Sequence, residues 1–137
     1  MEIYTAQTVQ VTPSLRIQWT PVHDLFISQI TDVSASTIDS WYATNVNVMN
    51  KWPEDELYRA LLDFAFDEHI YVTPRAKAYA ERLFSLRPGL RGRVALLIRP
   101  SISAQSIQLF AHRHANTDVM GAVFFDRDRA MAWLEEG

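Results

Sequence analysis

The sequence predicts an α/β fold: a mostly parallel five-stranded sheet, opened by an N-terminal antiparallel hairpin and packed by four helices. Three near-continuous apolar runs, Tyr58–Phe66, Val94–Ile98 and Val119–Phe125, read as strands covered on both faces. Beside them the apolar period becomes helical, most clearly after Thr73, where Ala76, Tyr79, Ala80, Leu83 and Phe84 fall on one face. Strands that alternate with helices call for parallel pairing through right-handed crossovers, because tight turns cannot join parallel neighbours.

Residues 1–14 alternate weakly and are broken at Pro13, which marks a leader or an edge strand. Leu15, Ile17 and Trp19 then alternate with Arg16 and Gln18, the two-residue period of a half-buried strand. Leu25–Ile30 follows after the short TPVHD connection, so the two strands should form an antiparallel hairpin. Ser36 and Asp39 have the spacing of a capping box, with Ile38, Trp41, Tyr42, Val46 and Met49 at helical spacing behind them, and the first helix should end near Asn50. Lys51–Glu56, with Pro53 and three acids, reads as a loop.

The second helix has a defined start. Thr73 can accept an orphan amide proton, and Pro74 at the first helical position loses no helical hydrogen bond. Pro88, Gly89 and Gly92 form a dense turn region, after which Val94–Ile98 reads as a central strand. Ser101 or Ser103 should cap a third helix that exits near Asn116, and Asp126 should cap the fourth, whose buried face is Ala130, Trp133 and Leu134. No internal repeat or linker divides the 137 residues, so residues 1–137 are expected to be one domain.

A net charge of −3 gives no overall attraction to nucleic acid or an anionic membrane. Without cysteine there is neither a disulfide framework nor a thiolate for metal or nucleophilic chemistry. The sequence lacks a membrane-length apolar run and a signal-peptide pattern, so a cytoplasmic location is expected. The glycines, at positions 89, 92, 121 and 137, form no phosphate-cradling loop, and GxSxG and HExxH are absent. The expectation is therefore no cofactor, no metal and no catalytic residue.

In its element order, and most closely in GRVALLI (92–98) and FFDRDRAMAWL (124–134), the chain resembles the STAS-like family over roughly residues 15–136. That family includes the anti-sigma factor antagonists of bacterial sporulation and stress signalling, and a looser branch grouped with Sec14-type lipid-binding domains. The resemblance implies a regulatory, protein-binding module, or alternatively a binder of lipid or a small apolar ligand. In the regulatory members an Asp-Ser-Ser-Gly-like sequence at the start of the second helix carries a phosphorylatable hydroxyl. Here Tyr71, Val72, Thr73 and Pro74 stand in that place; Thr73 keeps the hydroxyl, while the acid, the paired hydroxyl and the glycine have no counterpart.

Thr73 is thus the first candidate, read either as a helix cap or as a regulatory handle. Asp67, Glu68 and His69 precede it at the carboxyl end of a parallel strand, where α/β proteins commonly bind ligands. These three could also serve, with Asp63, as acids, bases or ligands in an enzyme, although a solvated loop is the commoner role. Tyr71 and Arg75 complete the candidate surface around the start of the second helix. His112 and His114 lie two apart on an expected helix and so point away from each other, which argues against a shared metal ion. Arg82, Arg87, Arg91, Arg93 and Arg99 concentrate basic charge that could meet an anionic headgroup or an acidic partner. The expected partner is another protein, with lipid or a small apolar ligand as the alternative; a homodimer is compatible with the sequence, and nucleic acid is not expected.

Overall fold

The sheet is assembled in sequence order. The structure, a computed structural model, describes residues 7–20, 25–65, 72–100 and 118–136. Within them lie β1 (Gln7–Thr12), β2 (Leu15–Thr20), β3 (Leu25–Ile30), α1 (Ala35–Lys51), β4 (Tyr58–Asp63), α2 (Pro74–Phe84), β5 (Gly92–Leu97), β6 (Val119–Phe124) and α3 (Arg127–Glu136). The six strands form one sheet in the order β1-β2-β3-β4-β5-β6. β1, β2 and β3 pair antiparallel, whereas β3 to β6 run parallel.

The expectation of five strands is corrected to six, because residues 7–12 form an edge strand. The edge-strand reading of residues 1–14 is the one that holds, but Thr8, Val9, Gln10 and Val11 are all exposed, so the weak alternation of the sequence marks no buried face. Three helices lie among the described residues. The further helix expected over 101–116, with His112 and His114, lies outside them, as do His23 and Phe66.

The β3–β4 and β4–β5 crossovers step the same way across the sheet, and right-handed crossovers of that kind place their helices on one face. α1 and α2 accordingly pack against each other and on the sheet. Their core joins Phe26, Ile30, Ile38, Trp41, Leu62, Phe64, Ala76 and Ala80. α3, which follows β6, covers the opposite face, where Ala130 and Leu134 pack on Leu25, Ile27, Leu61, Ala95 and Leu97. α2 lies close to the sheet because its contact face is small: Ala76 and Ala80 are buried, with Leu83 and Phe84 behind them. Phe84 in turn covers Gly121, where an added Cβ would stand 2.4 Å from the ring.

α1 begins two residues ahead of the expected capping box. Ser34 is the cap, accepting the amide of Thr37 at 3.3 Å, and Asp32 holds Ser34 through its amide and hydroxyl at 3.0 and 2.9 Å. The sequence offers serines at 34 and 36, and the contact with Asp32 favours the earlier one. Asp39 is left free of capping. Under α1, the Trp41 indole donates to Ser28 Oγ at 3.1 Å, and Asn45 donates to Trp41 O at 2.9 Å and to Ser28 Oγ at 3.4 Å. The helix ends with its last carbonyls held by Arg87, which donates to Met49 O at 2.7 Å and Trp52 O at 2.8 Å. At the amino end of the parallel strands β4 and β5 approach closely: a Cβ at Gly92 would fall 2.0 Å from Tyr58 O.

Candidate functional site

Thr73 and Arg75 sit where the fold brings two helix starts to one edge. α1 follows β3 and α2 follows β4, so both helices begin at the carboxyl edge of the parallel strands. Thr73 has extended backbone geometry, and its side-chain oxygen accepts the Ala76 amide at 3.1 Å while Lys77 N donates to Thr73 O at 2.9 Å. With Pro74 at the first position, α2 has the start the sequence predicts. The Thr73 hydroxyl is half-buried and already works as a cap.

Arg75, one residue into the helix, reaches across to α1. Its Nε donates to Asp39 Oδ1 at 2.8 Å and its Nη2 to Asp39 Oδ2 at 3.4 Å, a two-point guanidinium–carboxylate contact. Tyr79 O–H, one turn further along α2, donates to the same Asp39 Oδ1 at 2.8 Å. The Tyr79 ring stacks on Tyr42 of α1 with centroids 4.1 Å apart and planes at 13°. Two guanidinium carbons lie over Tyr79, those of Arg75 at 5.9 Å and Arg82 at 5.5 Å. These residues form a continuous polar and aromatic surface across both helices.

Hydrogen bonds set its electrostatics. The bond from Arg75 holds the Asp39 carboxyl below the usual carboxylate range, helped by the bond from Tyr79. The same contacts push Arg75 and the Tyr79 phenol upward, Asp39 being the chief cause for both. The pair is open to water, with Arg75 and Asp39 side chains 51% and 47% exposed. An exposed pair of this kind contributes little to stability, and its worth lies in geometry.

Of the other sequence candidates, Asp67, Glu68, His69 and Tyr71 lie outside the described residues, and so do all four histidines. Among the described residues, no group of three or more acidic side chains is arranged to hold a metal ion. Asp63, on the α3 face of the same edge, is almost wholly buried and fully engaged. Its Oδ1 accepts Ala65 N at 2.9 Å, and its Oδ2 accepts Gln29 Nε2 at 2.8 Å and Arg127 Nη1 at 3.2 Å. Gln29 receives Arg16 on its other side, so one polar row crosses β2, β3 and β4 to the start of α3.

The arginines grouped by sequence disperse in space. Arg87 closes α1, and Arg93 donates to Trp133 O at 2.6 Å at the end of α3, beside Arg59, which donates to Leu134 O at 2.9 Å. These contacts place positive charge at the negative ends of the helix dipoles. Arg59, Arg91 and Arg93 also line an open cleft of about 180 Å³ at the amino edge of the strands, with Asp118 among its walls. Between the sheet and α2 lie two gaps of about 10 Å³ each, one reached by Asn45 and Tyr58, the other between Phe84 and Val123. Space of that size holds about one water molecule, far below the ~300 Å³ of a small-ligand pocket.

Comparison with protein-family models, with curated proteins and with solved structures finds no match in any of the three.

Asp39 is the residue that sequence reasoning misplaced, since the capping-box spacing assigned it to capping the helix start. Tyr42 packs against the core as its helical spacing implies, and its ring also stacks on Tyr79. The available signal was the placement of an acid and an aromatic three residues apart on α1, matched by Arg75 and Tyr79 four apart on α2.

Proposed function

We propose that this chain is a non-catalytic regulatory or protein-binding module of STAS-like fold, of the kind used by bacterial anti-sigma factor antagonists. It docks its partner through α2 and the residues that lead into it. The observation that carries this reading is the Asp39–Arg75–Tyr79–Tyr42 surface at the head of α2, where paired charges and stacked rings face solvent in a fixed arrangement. Tyrosine and arginine are the side chains that contribute most at protein interfaces, and here their rotamers are held before any partner arrives. The α/β order of strands and helices, with its antiparallel opening, supports the reading at the level of fold class, although the sheet has six strands where five were expected.

Two further observations support binding over chemistry. Asp63, the buried carboxylate at the ligand-binding edge, has both oxygens engaged by fixed donors. The Thr73 hydroxyl, the counterpart of the family's regulatory position, serves the helix as a cap, which favours a structural role over a phosphorylation switch. The apolar-ligand alternative draws no support from the interior, whose gaps under α2 are water-sized.

A pull-down from the source organism on wild type and Arg75→Glu tests the reading. A protein retained by wild type and lost with Arg75→Glu, at unchanged thermal stability, is the expected result. Retention by both variants alike overturns docking through α2.

A further inference from the structure

We infer that the surface of the partner facing α1 and α2 is acidic, and that one of its carboxylates takes Arg75 from Asp39; this rests on the docking reading above. The first ground is the distribution of charge. α2 carries Arg75, Lys77 and Arg82 against Glu81, and α1 carries only Asp39 and Lys51, although the chain as a whole stands at −3. α2 is therefore net basic on a chain that is net acidic. A partner of complementary charge is favoured at that helix.

The second ground is the state of Arg75 itself. Its guanidinium is aimed by two bonds to Asp39 yet remains half-exposed, so a second carboxylate can approach from solvent. Exchange of one carboxylate for another keeps the two-point geometry that a guanidinium favours. Asp39 is not stranded by the exchange, because Tyr79 O–H still donates to it at 2.8 Å. Arg82, placed over the Tyr79 ring, supplies a further fixed cation.

A protein fits this surface better than a nucleic acid or a membrane. The cations cluster on one short helix beside a pair of stacked rings, whereas a polyanion would need many phosphate contacts and would meet the chain's overall negative charge.

The test uses the full chain, with an N-acetylated peptide alternating Glu and Leu, its Gln-for-Glu counterpart, oligo-dT, and phosphatidylserine vesicles as probes. Backbone amide shifts locate binding, and thermal melts confirm that each variant folds. The acidic peptide is expected to perturb α2 and to bind at least about tenfold more tightly than the neutral one, with that preference lost in Arg75→Glu/Arg82→Glu. Asp39→Asn removes the competing charge, keeps an acceptor for Tyr79, and should tighten acidic-peptide binding about two- to threefold. No binding of the acidic peptide, tighter binding of oligo-dT or vesicles, or no gain in Asp39→Asn overturns the inference. If both peptides perturb α2 equally, the acidic partner is refuted while docking through α2 stands; if both perturb another face, the docking reading falls as well.

Discussion

Asp39 and Arg75 stand 36 residues apart in sequence and meet at 2.8 Å across the junction of α1 and α2. Neither is placed there by hydrophobic patterning. The contact exists because consecutive crossovers put both helix starts at the same edge of the sheet, and because α2, built on alanines, lies low enough for the two helices to touch. The candidate surface is a consequence of the fold's winding.

The alanine face gives the first prediction. Ala80 is buried against the sheet, so Ala80→Glu brings an unpaired carboxylate into the core and should cost at least about 3 kcal/mol. Urea unfolding measures it. A midpoint equal to wild type would contradict the packing of α2.

Thr73 gives the second. As a cap it contributes about 1 kcal/mol, so Thr73→Ala should lose that amount while Thr73→Asp, another good cap, stays near wild type. Partner affinity is the companion measurement: a cap-only residue leaves affinity equal in Thr73→Asp and wild type. Affinity that falls in Thr73→Asp at unchanged stability would make the hydroxyl a regulatory handle.

The polar groups beneath α1 give the third. Ser28 Oγ is the acceptor for the buried Trp41 indole N–H, so Ser28→Ala leaves that donor without its partner and should cost about 1–3 kcal/mol, although it removes a single oxygen. Thermal and urea unfolding that show no loss would refute the role assigned to Ser28.

Acid stability supplies the fourth. The Asp32 carboxyl is held well below its ordinary range, first by the Ser14 hydroxyl and then by Thr37 and Ser34, which joins the β1–β2 turn to the head of α1. A carboxyl depressed by folding binds its proton more readily when unfolded. Its contribution is therefore complete above the unfolded value of ~3.9 and is lost as pH falls towards the folded one. Urea midpoints measured downward through about pH 4 should fall for wild type and fall less steeply for Asp32→Asn, which begins less stable at neutral pH. Asp39→Asn should change this limb much less, since its pair with Arg75 is open to solvent. An acid limb as steep in Asp32→Asn as in wild type would rule out the assignment.

Much of the fold was legible because burial writes a period into the sequence. β4, β5 and β6 are parallel neighbours as expected, but β6 is an edge of the sheet with Met120 and Phe125 exposed, so its apolar run is not that of a strand covered on both faces. Thr73–Pro74 and Asp126 open their helices as expected, with Asp126 accepting Arg129 N at 3.2 Å. β1 left only a weak signal since both of its faces are wet. The start of α1 was displaced by two residues because Ser34 and Ser36 are equivalent as caps until Asp32 is seen holding the first of them. The candidate site was half visible: Thr73 and Pro74 announce a helix start, but the meeting of Arg75 and Tyr79 with Asp39 is set by tertiary contact, at which only the spacing of Asp39 and Tyr42 hints. The arginines behaved likewise, since adjacency in sequence does not reveal that Arg87 and Arg93 close two different helices.

The most direct measurement places a photo-crosslinking residue at Ala78, exposed on α2, and in a second protein at Glu135, exposed on α3, and compares what each captures in the source organism. Docking through α2 predicts one protein partner crosslinked from position 78, lost when Arg75→Glu is added, and absent from position 135. A partner captured from position 135 and not from 78, or one captured from 78 regardless of Arg75→Glu, would contradict it.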